Sequence, residues 1–213
     1  MQILLQEIVP TYFDKEQITG SEIWGRQIAF TKGEHVHIVA PSGSGKTSLI
    51  HFMYGLRKDY DGTISYQGED TKNFSLEKFS VFRQKHLSIV FQDLRLFNDQ
   101  TVLANIELKR QLGPYHPAEK IVEMANRLGI ANKLTRTAKT CSYGEQQRIA
   151  IVRSLMQPFD FLLLDEPFSN LDEVNRNKAF ELMEEECKQR NASMIFADLK
   201  QLDFLKGQRI LKL

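Results

Sequence analysis

Val36-His37-Ile38-Val39-Ala40-Pro41-Ser42-Gly43-Ser44-Gly45-Lys46-Thr47-Ser48-Leu49-Ile50 is the stretch that decides the fold. The apolar run Val36 to Ala40 reads as a short buried strand. A Gly/Ser loop follows, and then a helical pattern from Lys46 to Tyr54. Residues 40–47 match G-x-x-x-x-G-K-[ST] at every defined position except the first, where Ala40 stands for glycine. Gly43 and Gly45 let successive backbone amides turn inward as an anion-binding nest at a helix N-terminus, where the amide dipoles favour phosphate. In such a loop Lys46 reaches the β and γ phosphates of a nucleotide and Thr47 offers its hydroxyl to Mg²⁺. Pro41, Ser42 and Ser44 complete the cradle and Ser48 follows it. Alanine accepts unusual backbone angles less readily than glycine, so Ala40 touches only the geometry of the first turn.

A phosphate loop needs a second metal anchor, and Phe161-Leu162-Leu163-Leu164-Asp165-Glu166 supplies one: a buried apolar strand ending in two carboxylates. Asp165 would hold Mg²⁺, directly or through water, and Glu166 would act as general base on an attacking water. Apolar runs at Ile3–Val9, Ile28–Phe30, Leu87–Phe91 and Met194–Phe196 add strands, and Gly62 to Gly68 alternates like part of a small antiparallel sheet. From Thr101 to about Gln157 the period becomes helical, with Ile121, Met124, Ala125 and Leu128 on one face. Val174, Ala179, Leu182, Met183 and Cys187 mark the inward face of a later helix, and Glu184 to Glu186 with Lys188 its solvated face. Strands alternating with helices imply an α/β fold: a parallel-rich sheet, a small antiparallel β subdomain and a helical subdomain over about residues 93–157. A short strand, Arg209 to Leu213, ends the chain, and a single domain over 1–213 with no accessory domain is expected.

Composition supports an ordinary globular protein. Of 213 residues, 42% are hydrophobic and 26% charged, which argues against disorder and fibrous repeats. The net charge is +1, from 28 basic and 27 acidic residues, so no sequence-wide attraction to nucleic acid or to a membrane is implied. No charge-free apolar run approaches the ~18 residues that span a bilayer, and Glu7 interrupts any signal-peptide core, so a cytoplasmic location is expected. The two cysteines, Cys141 and Cys187, read as free thiols in helical contexts. His35, His37 and His51 form no metal spacing, and structural roles are expected for all five histidines.

Cys141-Ser142-Tyr143-Gly144-Glu145-Gln146-Gln147-Arg148 then resembles the LSGGQQQR signature of ATP-binding cassette (ABC) transporter nucleotide-binding subunits. It stands at the start of a helix ahead of the acidic strand, and the resemblance covers essentially the whole chain. It implies a P-loop NTPase core whose α-helical subdomain carries the signature. It further implies that Ser142 and the Gly144 amide, with Tyr143 and Glu145 in the same turn, act on the ATP held by a second subunit. Gln92 is similar to the Q-loop glutamine, a catalytic and metal-side residue. Ser169-Asn170-Leu171-Asp172 resembles the D-loop, and Tyr12 is placed like the aromatic that stacks on adenine, with Phe13 or Trp24 as alternatives. Cys141 replaces the family's leucine and Tyr143 its first glycine. After Met194-Ile195-Phe196, Ala197-Asp198 stand where the family has a histidine near the γ-phosphate. The last histidine in the chain is His116, upstream of the signature, so none can substitute from downstream.

The resemblance implies an ATP-hydrolysing subunit, with ATP and Mg²⁺ as cofactors, that dimerises around two nucleotides. It would drive separately encoded membrane permease subunits from the cytoplasmic face of the inner membrane. A homodimer is favoured over a heterodimer, and turnover is expected to be slow without the histidine. The run Phe91 to Phe97, near which a permease helix would dock, resembles the lipoprotein-release, macrolide-export and cell-division branch. Ala197 and Tyr143 motivate an alternative, a nucleotide-gated binding subunit with little turnover, the degenerate half of a heterodimer; the retained Glu166 argues against it. A soluble member acting on nucleic acid or ribosomes would usually carry two cassettes and a basic insertion, and this sequence has neither.

Overall fold

A computed structural model describes residues 1–202 and 208–213. In chain order the elements are β1 (Gln2–Pro10), α1 (Lys15–Ile18), β2 (Gln27–Thr31), β3 (His35–Val39), α2 (Lys46–Met53), β4 (Tyr60–Tyr66), β5 (Glu69–Asp70) and α3 (Leu76–Lys85). Then come β6 (Leu87–Val90), α4 (Val102–Leu112), α5 (Glu119–Arg127), α6 (Tyr143–Leu155), β7 (Phe161–Asp165), α7 (Glu173–Arg190), β8 (Ser193–Asp198) and β9 (Arg209–Lys212). Two sheets form. One runs β2-β1-β4-β5 with antiparallel pairing, the other β6-β7-β8-β3-β9 with parallel pairing throughout. The α/β architecture expected from the sequence is thus present, with the strand before the phosphate loop held between β8 and β9 of the parallel sheet.

Strand register explains what sits where. β3 pairs with β8 so that Val39 lies opposite Asp198, and β7 pairs with β8 so that Asp165 lies opposite Ala197. The phosphate loop, the acidic pair and the Ala197-Asp198 step therefore leave the sheet side by side at the carboxyl ends of adjacent strands, where parallel sheets place ligands. Two hydrophobic cores meet across the parallel sheet. One joins the inward faces of α4, α5, α6 and α7 to Leu162, Leu164, Met194 and Phe196; the other joins α2 and the antiparallel sheet to Leu87, Phe161, Leu163 and Ile195. Burying the strands on both faces accounts for their unbroken apolar runs.

Three local expectations are corrected. Glu186 is not on the solvated face of α7: it is buried, 2.5 Å from Arg190 one turn on and 2.7 Å from His116, which folds back from the segment before α5. A buried carboxylate requires such partners, and the i,i+4 spacing to Arg190 supplies the first. Val174 is exposed because it lies in the first turn of α7, ahead of the packed part of the helix. Cys141 is extended rather than helical, between a short 3₁₀ turn at Ala138–Thr140 and the cap of α6; both cysteines are free and buried. Helix α3 has no counterpart in the sequence reading. Its signals are Ser75, whose side chain caps Lys78 N–H, and the spacing of Phe79 and Phe82.

Candidate functional site

The phosphate loop is held open by its glycines and from beneath by aromatic rings. Gly43 and Gly45 have φ of 82° and 93°. A Cβ on Gly45 would lie 2.9 Å from both Phe13 Cζ and Trp24 Cζ2, so glycine is required there twice over, for angle and for space. The indole of Trp24 is buried and donates to the Ser44 carbonyl at 3.1 Å. Trp24 is thereby a brace for the loop and is not free to stack on a base, which removes it as an alternative to Tyr12. Ala40 has no left-handed φ: it closes the strand with its amide on the Asp198 carbonyl at 3.0 Å, a conformation alanine adopts without strain. Gly45 caps α2 without a side-chain acceptor, so the first amides of α2 have no side-chain cap and face the loop's concavity.

Around this loop the chemistry converges. Lys46 is buried, and its Nζ donates to the carbonyls of Ala40 at 3.0 Å and Pro41 at 2.9 Å, with Glu166 Oε1 at 3.6 Å. An ammonium has three protons, so one remains for an anion entering the loop. Glu166 sits at φ 48°, a left-handed angle unfavourable for a residue with a Cβ, which turns its side chain out of the line of β7. Asp165 is 1% exposed, and beyond the Thr47 hydroxyl beside it neither of its carboxylate oxygens has a hydrogen-bond partner. Burial pushes its carboxyl up to about 6, with the charges of Glu166 and Asp198 adding to the effect. Burial likewise pushes Asp198 up to about 6, Glu166 again adding to it.

Thr47 Oγ1 donates to Gln92 Oε1 at 3.3 Å. Neighbouring oxygens in an octahedral Mg²⁺ shell at 2.0–2.1 Å from the ion are roughly 3 Å apart. The donor set is hard oxygen throughout, and a buried carboxylate with no partner beyond Thr47 adjoins it, so these residues fit Mg²⁺. Tyr12, Phe13, Ser42, Gly43, Gly45, Lys46, Thr47, Ser48, Gln92 and Glu166 line one cleft of about 250 Å³. It adjoins a second, of about 400 Å³, formed by Thr47, His51, Gln92, Asp93, Tyr143 and Asp165. A recess of about 800 Å³ behind the loop shares Ser42 and Gly43 but, among the described residues, is lined by no Asp or Glu side chain, so the chemistry belongs to the smaller clefts.

Tyr12 is half exposed at the cleft rim, its hydroxyl 2.5 Å from Ser48 Oγ and Arg57 stacked 5.1 Å from its ring centre. The signature residues lie at the N-terminus of α6. Ser142 caps Glu145 N–H at 3.3 Å and the Glu145 carboxylate accepts from Ser142 N–H at 2.8 Å, a reciprocal capping box. Asp172 caps α7 through Asn175 N–H at 2.9 Å, and these amides hold its carboxyl below the usual range. Of the signature and D-loop residues only Tyr143 reaches the clefts. Gln147 belongs to the signature-like run, but the sequence assigns it no role of its own. It is buried, donates to the Glu166 carbonyl at 3.2 Å and accepts from Asn170 N–H at 3.0 Å, tying α6 to the end of β7. A polar residue four positions along an amphipathic helix gives no hint of this from spacing alone.

Residues 25–169 match the family model described as ABC transporter. The chain belongs to the ABC transporter family. Over 211 residues it is 31% identical to the lipoprotein-releasing system ATP-binding protein LolD of Legionella pneumophila (strain Lens), covering 98% of this chain and 92% of that one. It is 40% identical over 158 residues to the molybdate/tungstate import ATP-binding protein WtpC of Pyrococcus horikoshii, covering 72% of this chain and 44% of the other. The dimeric structure of the bacterial ABC transporter cassette MJ0796 superposes with a TM-score of 0.80 at 22% identity, over 93% of this chain and 88% of that one, and so shares the fold. The family resemblance seen in the sequence is borne out, and this ABC protein is an ATP-binding, ATP-hydrolysing subunit.

Proposed function

We propose that this ABC subunit is the motor of a membrane complex of the lipoprotein-release type, working as a dimer closed around two ATP molecules. It is read as one cassette domain over residues 1–213 with a helical subdomain at about 93–157, peripheral on the cytoplasmic face through a separately encoded permease. The observation that carries the reading is the convergence of Lys46, Thr47, Gln92, Asp165 and Glu166 at one end of the parallel sheet. Similarity to LolD along nearly the whole chain supports the branch. No helix among the described residues is long and apolar enough to cross a membrane.

In this reading the amides of the loop and the N-terminus of α2 bind the phosphates, and Lys46 adds its charge at the β and γ positions. Thr47, Gln92 and Asp165 would hold Mg²⁺, which when bound neutralises charge on the phosphates. Glu166, set on its left-handed turn, takes the proton of the attacking water. Tyr12 stacks on the base. Ser142, Gly144 and Asp172 act on the partner's nucleotide, so ATP favours the closed dimer and loss of the γ-phosphate releases it. The test is Glu166→Gln, which keeps the shape of the side chain but cannot accept the proton. With ATP and Mg²⁺ it should elute from size exclusion as a dimer that persists; a variant that stays monomeric at high concentration would falsify the closed-dimer reading.

A further inference from the structure

Helix α6 grips the loop that carries Gln92 at both of its ends. At its first turn the Tyr143 hydroxyl donates to the Gln92 carbonyl at 3.3 Å. At its last turn the buried guanidinium of Arg153 donates to the carbonyls of Leu94 at 2.5 Å and Arg95 at 2.7 Å. The gripped loop is strained: Leu94 and Arg95 are consecutive non-glycine residues with φ of 58° and 46°. Such a backbone persists only where its surroundings fix it. The Gln92 carbonyl is thus held from the signature turn while its side-chain oxygen accepts from Thr47 on the other side. A glycine at position 143 has no atoms with which to make the first of these contacts.

We propose that Tyr143 is a positioning residue that fixes Gln92 for its place beside Thr47 and Asp165. Arg153 secures the far end of the same loop. The bulky side chain in the signature turn is then a working part of the chain's own site and not a mark of degeneracy. This rests on the reading of Gln92 as a metal-side residue, so the experiment separates the two.

Tyr143 is 49% exposed, so Tyr143→Phe removes the hydroxyl without opening a cavity; Arg153 is buried among core residues and makes a poorer probe. Hydrogen exchange in the full chain without nucleotide should show the amides of 93–95 exchanging about two- to tenfold faster in Tyr143→Phe, the range of one neutral hydrogen bond, with the amides of α2 unchanged. In steady-state hydrolysis the variant should lose kcat by a similar factor with KM for ATP altered less than twofold. In a Gln92→Ala background, itself slow, adding Tyr143→Phe should change nothing further. Unchanged exchange, an unchanged kcat, or an equal loss in both backgrounds overturns the role of Tyr143. Full activity in Gln92→Ala alone instead overturns the assignment of Gln92, and the proposal falls with it.

Discussion

Replacing Asp165 by asparagine should make the free protein more stable while disabling it. The carboxyl is 1% exposed, and burial pushes it up to about 6 against an ordinary 3.8 even with the Thr47 hydroxyl beside it. A displacement of that size corresponds to roughly 3 kcal/mol of native-state destabilisation once the group is ionised. The folded chain binds the proton more tightly than the unfolded one, so the penalty is absent below the unfolded value, grows as pH rises towards about 6, and is complete above it. Asparagine removes the charge but leaves an amide in the same dry position, which costs about 1–2 kcal/mol. The net gain at pH 7.5 is about 1–2 kcal/mol, and at about 2–4 °C per kcal/mol for a chain of this length Tm should rise by about 2–8 °C in EDTA. Saturating Mg²⁺ and ATP at about 100 times Kd stabilise the wild type by about 2.7 kcal/mol. The variant lacks the metal-side carboxylate and gains less, so the order of melting temperatures should reverse. Calorimetry at pH 7.5 and pH 4.5, with and without Mg²⁺ and ATP, checks each step. A variant that melts below the wild type in EDTA at pH 7.5, or an advantage that does not shrink by pH 4.5, refutes the reasoning.

Lys46→Ala should abolish measurable ATP binding, because no neutral side chain replaces a charge at the β and γ phosphates; unchanged affinity in calorimetric titration would remove the phosphate-loop assignment. Protons compete with Mg²⁺ for Asp165, so the Mg²⁺ concentration for half-maximal hydrolysis should rise below pH 6, about tenfold by pH 5; a flat profile contradicts the role given to Asp165. Ala197 is fully buried in the core, so an imidazole there would recover only part of a contact commonly worth about 2–4 kcal/mol, and Ala197→His should raise kcat several-fold with little change in nucleotide affinity. A wild type that already turns over at tens per second with its partner, and a variant no faster, would show that another group fills the role.

Parallel strands, the phosphate loop and the acidic strand end were legible because each has a local physical signature: a run of apolar residues buried on both faces, glycines at left-handed angles, and carboxylates at a strand terminus. What escaped depends on distant partners. Glu186 looks like any charge in an acidic helix until His116 and Arg190 close on it, and Gln147 and Arg153 bond to backbone carbonyls that no side-chain pattern announces. Trp24 had the right composition for stacking on a base, but its indole N–H is committed to Ser44.

The signature turn shows why a departure from the family pattern falls where it does. Positions 143 and 144 are adjacent at the start of α6, yet their surroundings differ. A Cβ on Gly144 would meet the Asn170 carbonyl at 2.8 Å, so the close approach of the segment after β7 excludes every side chain there. Position 143 faces the second cleft, where a large ring is half exposed and finds the Gln92 carbonyl within reach. The retained glycine is the one the chain's own backbone demands, and the replaced one lies where space is open. Ser142, Glu145 and Asp172 are likewise accounted for within one subunit by the caps they form. Action on a partner's nucleotide adds a second demand on the same residues: substituting one that acts across the interface should weaken ATP-dependent dimerisation by more than the loss of its cap destabilises the monomer.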